Sequence, residues 1–450
     1  MKYTDLIAVI DLGTTHITGI VGLKESDGKF RVITHEVENS GSCIRRGFIY
    51  KVRETADKIT RIVRKLENRF PDDLKGAKIE KVYVGIEGQS LRSIKHTVPR
   101  ILGADGLVTE EVLESLEEEC RNYKPDMFEV FDAVSPVYFL DDNPDSSPVG
   151  AKCYRIEARY QLIVGWPSLR NNIVTSITDY TKIKIAGVLI SPLTLADVVL
   201  NDEEKELGCA VIDFGGGVTT LTLYKGGNLI NLSVIPFGSN LITKDLTDIL
   251  PEEDAEDAKR NYGSAKREKD NSTTVPVGSR EIKLAELNNI IEARSREILE
   301  NVYARIKDAN MLEDLSSVVI TGGGSSLKQL DEVIRERLKV DVRYASVRKD
   351  ILIVDDMDLG KPIYTVAMSL LTKGEGNCVH LVTKEKPPKP INKSDSSTKK
   401  APVPSPSPTP PTPKSGEPSG GLFGRIKRGV DGLTRDLFDD NEASDNQRTK

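Results

Sequence analysis

Two stretches of the sequence share a pattern in which an apolar strand leads through an aspartate into a glycine turn and then a Thr-containing strand. Residues 211–223 carry Asp213 and three consecutive glycines, and residues 6–21 carry Asp11 followed by Gly13. Glycine allows a sharp turn and brings backbone N–H groups close to an anion, so each stretch is a candidate phosphate-binding hairpin. An ordinary β-hairpin also fits one such stretch, but the repetition favours two related half-domains.

A third glycine cluster follows in residues 318–327, where a β-branched strand runs into Gly322, Gly323 and Gly324 and then a helical pattern. Backbone of this kind packs closely against a flat ring or a ribose. Asp213, at the mouth of its turn, suits a hydrated Mg²⁺ held against phosphates. The ordered set of three clusters predicts a nucleotide site. The sequence has no Gly-x-x-x-x-Gly-Lys-Ser/Thr motif, which disfavours a P-loop NTPase.

Composition limits the class of protein. With 450 residues and 38% hydrophobic content, the chain can bury more than one core and predicts about three or four domain-sized units. The net charge of -6 gives no overall attraction to nucleic acid. Five cysteines without a Cys-x-x-Cys and four histidines without ligand spacing predict a reduced, cytosolic chain without structural zinc. Neither a signal peptide nor an apolar run long enough to span a bilayer is expected.

The pattern changes along the chain. Up to about residue 85, predicted strands alternate with one amphipathic helix near 54–69, as in an α/β layer. Residues 87–165 instead predict three strands and one helix capped by Thr109, a compact α+β module inserted into the first α/β domain. Beyond about residue 384, Lys, Pro, Ser and Thr dominate, and this composition predicts an extended, disordered tether.

Two features have alternative readings from the residues alone. The Gly-bounded loop at 40–47, with two arginines, is either a surface turn or a contact loop. Glu256 and Lys259 lie three residues apart on one predicted helical face. A solvated ion pair worth a few tenths of a kcal/mol is the simpler interpretation of that spacing.

An amphipathic helix is predicted at residues 421–438. At about 100° per residue, its apolar face is formed by Leu422, Phe423, Ile426, Val430, Leu433 and Leu437, with Phe438 at the margin, and the rest of its surface carries Arg425, Lys427, Arg428 and Arg435. A short helix with three glycines after its first residue is marginal in water and should fold on binding. An anionic membrane surface satisfies both faces. A partner's groove and this protein's own core are the alternatives.

The order of these motifs resembles the FtsA family of bacterial actin-like cell-division proteins, within the actin, Hsp70 and sugar-kinase ATPase superfamily. The resemblance is carried by Asp11-Leu-Gly-Thr-Thr, the Pro192 helix, Asp213-Phe-Gly-Gly-Gly, Thr321-Gly-Gly-Gly-Ser and the Pro362 helix. The 40–47 loop, the inserted module, the segment 255–263 and the tethered tail add to it. It implies a two-lobed actin-like ATPase fold of the α/β class, with an inserted α+β subdomain, a disordered linker and a C-terminal amphipathic helix.

The resemblance also implies domain boundaries. They are a first actin-like α/β domain at 1–86, 166–204 and 359–383; an inserted α+β subdomain at 87–165; a second actin-like α/β domain at 205–238 and 314–358; a helix-and-strand subdomain at 239–313; a disordered linker at 384–420; a membrane-targeting helix at 421–438; and a disordered tail at 439–450.

Site roles implied by the resemblance concern ATP and Mg²⁺. Asp11 and Asp213 would lie around Mg²⁺ and its waters, and the adenosine would meet Glu256 and Lys259. The phosphates and the other side of the adenosine would be held by Gly13, Thr14, Thr15, Gly215, Gly216, Gly217, Gly322, Gly323, Gly324 and Ser325. His16 stands where the family usually has Lys, so a charged contact to phosphate there requires a protonated imidazole.

The resemblance further implies a peripheral protein at the cytoplasmic face of the membrane, at the division site. It would polymerise with itself, bind the C-terminal tail of FtsZ near Arg294 and Glu297, and recruit other division proteins. No residue stands out as a general base, so ATP is expected to act mainly on conformation and assembly, with slow turnover at most. A pilus-assembly relative and a soluble sugar or metabolite kinase of the same superfamily are the alternatives.

Overall fold

The computed structural model describes residues 5–380, except 104 and 268–271. Its strands, numbered in chain order, are β1 Leu6–Leu12, β2 His16–Lys24, β3 Phe30–Asn39, β4 Ile44–Arg45, β5 Phe48–Ile49, β6 Lys78–Ile79, β7 Lys81–Ile86, β8 Arg92–Ile101, β9 Glu129–Leu140, β10 Asn143–Asp145, β11 Arg155–Gly165, β12 Lys184–Ile190, β13 Cys209–Phe214, β14 Thr219–Lys225, β15 Asn228–Ile235, β16 Thr274–Val277, β17 Arg280–Lys283, β18 Ser317–Thr321, β19 Asp341–Tyr344, β20 Leu352–Ile353 and β21 Val379–His380.

The helices pack on both sides of the sheets. They are α1 Val52–Asn68, α2 Glu110–Arg121, α3 Pro167–Val174, α4 Ser191–Val199, α5 Asp202–Leu207, α6 Asn240–Leu246, α7 Glu252–Tyr262, α8 Leu284–Asp308, α9 Leu330–Leu338 and α10 Thr365–Leu371. Within the part of the chain that the structure describes, no helix is both long and apolar enough to cross a bilayer.

The first lobe is built on a six-stranded sheet in the order β12-β7-β1-β2-β3-β20. Strands β1 and β2 form an antiparallel hairpin in which Asp11 is opposite Thr18. Glycines on β2 let helices approach both faces: a Cβ at Gly19 would meet Ile62 of α1, and one at Gly22 would meet Leu371 of α10. The predicted α/β layer is therefore present, with helices on both faces.

The second lobe repeats this hairpin. Strands β13 and β14 pair with Asp213 opposite Thr220, and β18 runs parallel to β13 as β7 does to β1. Apolar residues of α8 and α9 cover the sheet, including Ile298, Val302 and Ile334. The two stretches that look alike in sequence thus occupy equivalent positions in two related sheets.

The inserted module has the predicted composition of three long strands, β8, β9 and β11, with α2 packed against them. The Thr109 hydroxyl caps α2 by accepting a hydrogen bond from the Val112 N–H at 3.4 Å. In sequence the module interrupts the first lobe, but β8 is the neighbour of β15 in the sheet of the second lobe. One continuous sheet of nine strands results, in the order β10-β9-β11-β8-β15-β14-β13-β18-β19.

The junction between the module and the second lobe depends mainly on side chains. Arg92 and Ser233 form the one backbone pairing recorded between β8 and β15. Ser93 Oγ accepts from the Leu232 N–H at 2.8 Å, and Gln161 Nε2 donates to the Ile230 carbonyl at 3.0 Å. The module is thus covalently part of the first lobe and hydrogen-bonded to the second.

Two helix boundaries differ from the sequence pattern. The helical segment that follows β11 is α-helical only to Val174 and continues as a π-helical turn over Thr175–Asp179. There the Ser176 hydroxyl donates to the Asn172 carbonyl, a local bond that competes with regular helix geometry. The Pro362 helix begins as a 3-10 turn over Pro362–Tyr364 before α10. The predicted linker, amphipathic helix and tail from residue 384 onwards lie outside the described residues.

Candidate functional site

The turns of the two repeated hairpins face each other across the cleft between the lobes. A Cβ added to Gly216 would lie 2.0 Å from Thr15 Oγ1, and one added to Gly217 would lie 2.6 Å from Thr14 Oγ1. Only glycine fits at these two positions, because the side chains of the first turn occupy the space that a Cβ would need. The cleft thus brings the two candidate phosphate loops into direct contact.

A cavity of about 430 Å³ lies between the lobes, within the range usual for small-molecule sites. Its lining includes, from the predicted set, Asp11, Gly13, Thr14, Thr15, His16, Asp213, Gly215, Gly216, Gly217, Glu256, Lys259, Gly322, Gly323 and Gly324. Ser325 is not among them, because its side chain is buried and donates to the Gly322 carbonyl at 2.7 Å. Ser326 lines the cavity in its place.

Three carboxyl groups meet at the base of this cavity. Burial, and then the nearby charge of Glu87, raises the pKa of Asp11 from 3.8 to about 7. Burial, and then repulsion by Glu87 and Asp11, raises the pKa of Asp213 well above its usual value. Burial likewise raises the pKa of Glu87. The cluster carries more potential negative charge than the cavity walls compensate.

Glu87 is a cavity residue that the sequence reasoning missed. It directly follows β7, the strand parallel to β1, and it accepts a hydrogen bond from the Thr220 hydroxyl of the second lobe. Its place directly after a predicted strand was visible in the sequence. The carboxyl ends of neighbouring parallel strands meet at one edge of a sheet, which is where Glu87 lies.

Helix α7 supplies the opposite wall of the cavity. Lys259 Nζ donates to Glu256 Oε2 and Thr243 Oγ1, both at 2.6 Å, and to the Ser239 carbonyl at 3.2 Å. Lys259 is only 9% exposed, and burial lowers its pKa despite the partner carboxylate. The interpretation of this pair as a solvated surface ion pair is therefore wrong, because α6 packs over the lysine.

His16 begins β2 beside the first glycine turn. Burial, followed by the positive charge of Arg260, lowers the pKa of its imidazole below 6.5. The ring is therefore mostly neutral near pH 7, and backbone N–H groups are the main anion donors at this turn.

The 40–47 loop is a contact loop and not a free surface turn. The Ser40 hydroxyl donates to the Gly13 carbonyl at 2.7 Å, and the Gly47 N–H donates to Thr14 Oγ1 at 2.9 Å. The short strands β4 and β5 close the loop into a hairpin. It therefore supports the first glycine turn from outside the sheet.

Arg294 and Glu297 lie on α8, away from the cavity lining. Arg294 binds Asp245 of α6 through Nε at 2.6 Å and Nη2 at 3.0 Å, and it also contacts Glu297. The hydrogen bond to Asp245, and to a smaller extent the contact with Glu297, raises the pKa of the guanidinium. The arrangement is a charged cluster on the helical part of the second lobe.

Two related sheets, each with a strand–aspartate–glycine hairpin turned towards a shared cleft, define a protein of the actin-like class. Among solved structures, the PilM-PilN type IV pilus biogenesis complex matches this fold with a TM-score of 0.58 at 13% identity. The match covers 82% of this chain and 98% of that chain.

Sequence comparisons narrow the class to one family. The family model for Cell division protein FtsA matches residues 210–369. The FtsA of Porphyromonas gingivalis is 31% identical over 364 residues, which cover 79% of this chain and 75% of that protein. The FtsA of Neisseria meningitidis is 30% identical over 353 residues, which cover 75% of this chain and 83% of that protein. The chain belongs to the FtsA family of cell division proteins, which confirms the resemblance seen in the motifs.

Proposed function

We propose that this chain binds ATP with Mg²⁺ in the interlobe cavity and polymerises at the cytoplasmic face of the membrane at the division site. There it anchors the FtsZ ring through its amphipathic helix and recruits other division proteins. The observation that carries the proposal is the convergence of three glycine clusters and α7 on one cavity in a chain of the FtsA family. ATP serves as a ligand for conformation and assembly, and its turnover is slow.

The cavity has chemistry suited to a nucleotide. Turns rich in glycine present N–H groups to phosphates. Gly322, Gly323 and Gly324 provide a wall without side chains for a ribose or a base. Glu256 at the other wall is 41% exposed at its side chain. Lys259 and Thr243 donate to its Oε2, so Oε1 is the oxygen that would accept hydrogen bonds from ribose hydroxyls.

The donor set also fits a hydrated Mg²⁺. Burial raises the pKa of all three carboxyls, and the charge of Glu87 raises those of Asp11 and Asp213 further. Mg²⁺ prefers oxygen ligands while keeping several waters. No group of three His, Cys, Asp or Glu within the described ranges is arranged to bind a metal directly. Asp11 and Asp213 would therefore hold the ion through its waters. Bound there, Mg²⁺ would neutralise phosphate charge.

The FtsZ tail is assigned to the surface around α8. Arg294 is three-quarters buried at its side chain, and its Asp245 partner is of similar exposure. Glu297 is about half exposed. A fixed arginine beside an exposed carboxylate offers an approaching peptide both signs of charge at one place, which favours oriented docking.

Membrane attachment is assigned to residues 421–438. Their apolar face matches acyl chains, and their Arg and Lys residues match anionic headgroups. The intervening Pro-rich segment is long enough to separate the folded body from the bilayer surface.

Cosedimentation with vesicles containing phosphatidylglycerol, in the presence of Mg²⁺ and ATP, tests membrane attachment. We expect the unmodified chain to pellet. Ile426→Asp with Leu433→Asp should lower the apparent affinity by about tenfold or more, because two apolar anchors are lost. Gly424→Asp with Gly432→Asp is the matched control, since it adds the same charge well outside the apolar face.

Equal pelleting of the two double variants would contradict the proposal, as would failure of the unmodified chain to pellet. Electron microscopy of the protein on an anionic lipid monolayer with ATP tests polymerisation alongside attachment. Transfer of the γ-phosphate to a small acceptor would instead identify a metabolite kinase.

A further inference from the structure

The connection between the first lobe and the inserted module begins inside the nucleotide cavity. Glu87 lines that cavity, and its side chain accepts a hydrogen bond from Thr220 of the second lobe. The residues immediately after it, Gly88 to Leu91, lead into β8 of the module. Any movement of Glu87 with the cleft therefore reaches β8 through only four intervening residues.

The β4–β5 hairpin, residues 40–50, meets this connection at the same point. A Cβ on Gly47 would lie 2.7 Å from Gly88 Cα, so the two backbones are in direct contact. The Gln89 N–H donates to the Arg46 carbonyl at 3.1 Å. Gly47 of the hairpin thus makes two contacts. Its N–H is bonded to Thr14 of the first glycine turn, and its backbone packs on Gly88 of the module's first connection.

The second connection of the module is held there as well. The Trp166 N–H, just after β11, donates to Ser90 Oγ at 3.1 Å, which joins the outgoing chain to the incoming one. Leu169 of α3 packs on Gly88, and Asn172 Nδ2 donates to the Ile49 carbonyl at 2.9 Å. Both covalent links to the module therefore converge on the β4–β5 hairpin.

The hairpin also crosses the cleft. A Cβ on Gly217 of the second glycine turn would lie 3.0 Å from Arg46 Cα. Arg46 itself has a φ of +50°, an uncommon value for a non-glycine residue that indicates a tightly determined backbone. The hairpin is thus in contact with both glycine turns and with both links to the module.

We propose that Glu87 and the β4–β5 hairpin couple nucleotide occupancy of the cavity to the position of the inserted module. Phosphates bound between the two glycine turns change the position or the mobility of the Thr14 hydroxyl and the Gly217 backbone. The β4–β5 hairpin transfers that change to Gly88 and Trp166. The module in turn shifts against β15, where one backbone pairing and a few side-chain bonds hold it. The inference rests on the proposed nucleotide binding. It adds a structural route by which that binding changes the position of the inserted module.

Hydrogen–deuterium exchange of the full chain, with and without Mg²⁺ and a non-hydrolysable ATP analogue, tests this coupling. We expect the analogue to slow exchange by about threefold or more in peptides covering residues 88–93 and 161–167. Gly88→Ala should reduce that response to near zero, because its Cβ would lie 2.8 Å from Leu169 Cδ2 and 3.2 Å from the Gly47 carbonyl oxygen at a φ of +149°. Gly28→Ala is the matched control, since Gly28 also has positive φ but nothing lies within 4 Å of its Cβ.

Asn172→Ala provides a second variant, which removes one bond of the hairpin to α3 without adding bulk, and it should halve the response or more. Calorimetric titration with the analogue is run on every variant. Binding to the unmodified chain with no change in these peptides would overturn the coupling and leave nucleotide binding intact. A full response in both Gly88→Ala and Asn172→Ala would also overturn it. No binding at all would overturn the proposed function itself.

Discussion

The charge state of His16 decides how the first glycine turn can hold a phosphate. Burial and the neighbouring Arg260 keep the imidazole pKa low, so the ring gives little positive charge near neutral pH. Lys259, the other predicted cation in the cavity, is committed to Glu256 and Thr243. Arg260 and Lys361 also line the cavity, so the reliance on backbone dipoles applies to the first glycine turn itself and not to the whole cavity.

Restoring a cation at position 16 should therefore strengthen ATP binding. His16→Lys is expected to raise ATP affinity by about tenfold near pH 7.5, equivalent to ~1.4 kcal/mol, because an ammonium group stays protonated there. Calorimetric titration measures the change. His16→Gln, which stays neutral, is the control and should remain within about twofold of the unmodified chain. Equal affinity in the two variants would show that this side chain does not reach the phosphates.

Residue types and spacing were enough to predict the three glycine clusters of the cavity lining, because glycine turns after buried strands have few structural options. The family resemblance supplied the places in the site of Thr14, Thr15, His16, Glu256 and Lys259. The sequence offered one signal for Glu87, its place directly after a predicted strand, but that signal identifies a cavity residue only once β7 is known to pair with β1. Ser325 was assigned to the adenosine wall by the family resemblance, but its side chain is buried within the 3-10 turn over Gly323–Ser326, and Ser326 lines the cavity.

Among the elements, α2 shows how a local signal settles a boundary. Thr109 has extended backbone angles, and its hydroxyl caps the first turn. Glu110 and Glu111 follow in that turn, where negative charge is favourable to the helix dipole. The start of the helix could therefore be read from sequence.

Removal of this cap should loosen the module locally. Thr109→Ala is expected to cost ~1 kcal/mol of helix stability, seen as about fivefold faster amide exchange over residues 110–121. Thr109→Ser keeps the hydroxyl and should stay close to the unmodified chain. If Thr109→Ala exchanged no faster than Thr109→Ser, the hydroxyl would not be stabilising α2.

Helix α7 shows the limit of the same reasoning. Its periodicity predicted that Glu256 and Lys259 share a face, and they do. What covers that face is α6, and the packing of two separate helices is not encoded in the spacing of either one. The burial of Lys259 could therefore not be predicted from the residues around it.

For the molecule as a whole, the three buried carboxyls store unfavourable charge that a bound cation would relieve. The pKa of Asp11 is about 7 in the folded chain against 3.8 for the free group. Since the folded state binds this proton more tightly, ionisation of Asp11 destabilises the fold progressively as pH rises from about 4 to about 7.

Asp11→Asn should therefore raise the melting temperature of the nucleotide-free protein by a few degrees at about pH 8, an advantage that shrinks as the pH falls towards 4. The same change should remove the extra stabilisation that Mg²⁺ adds to ATP in the unmodified chain. Thermal unfolding with ATP, with and without Mg²⁺, measures both effects. A variant less stable than the unmodified chain at every pH would contradict the charge argument.

The repeated hairpins made the two related sheets predictable, and the change of rhythm at residue 87 made the inserted module predictable. The shared sheet was not, because the pairing of Arg92 with Ser233 joins strands from distant parts of the sequence. Polar side chains such as Ser93 and Gln161 carry much of that junction, and nothing in their local pattern distinguishes them from surface residues.

The junction between β8 and β15 has a consequence for the order in which the molecule is made. Ser233 leaves the ribosome about 140 residues after Arg92, and at about 5–20 residues per second this delay lasts roughly 7 to 28 s. During that interval the edge of β8 has no partner in the nascent second lobe. An open strand edge invites pairing with another chain, and charged side chains discourage it. Arg92 and Lys95 on β8 are placed to keep neighbouring nascent chains apart until β15 arrives.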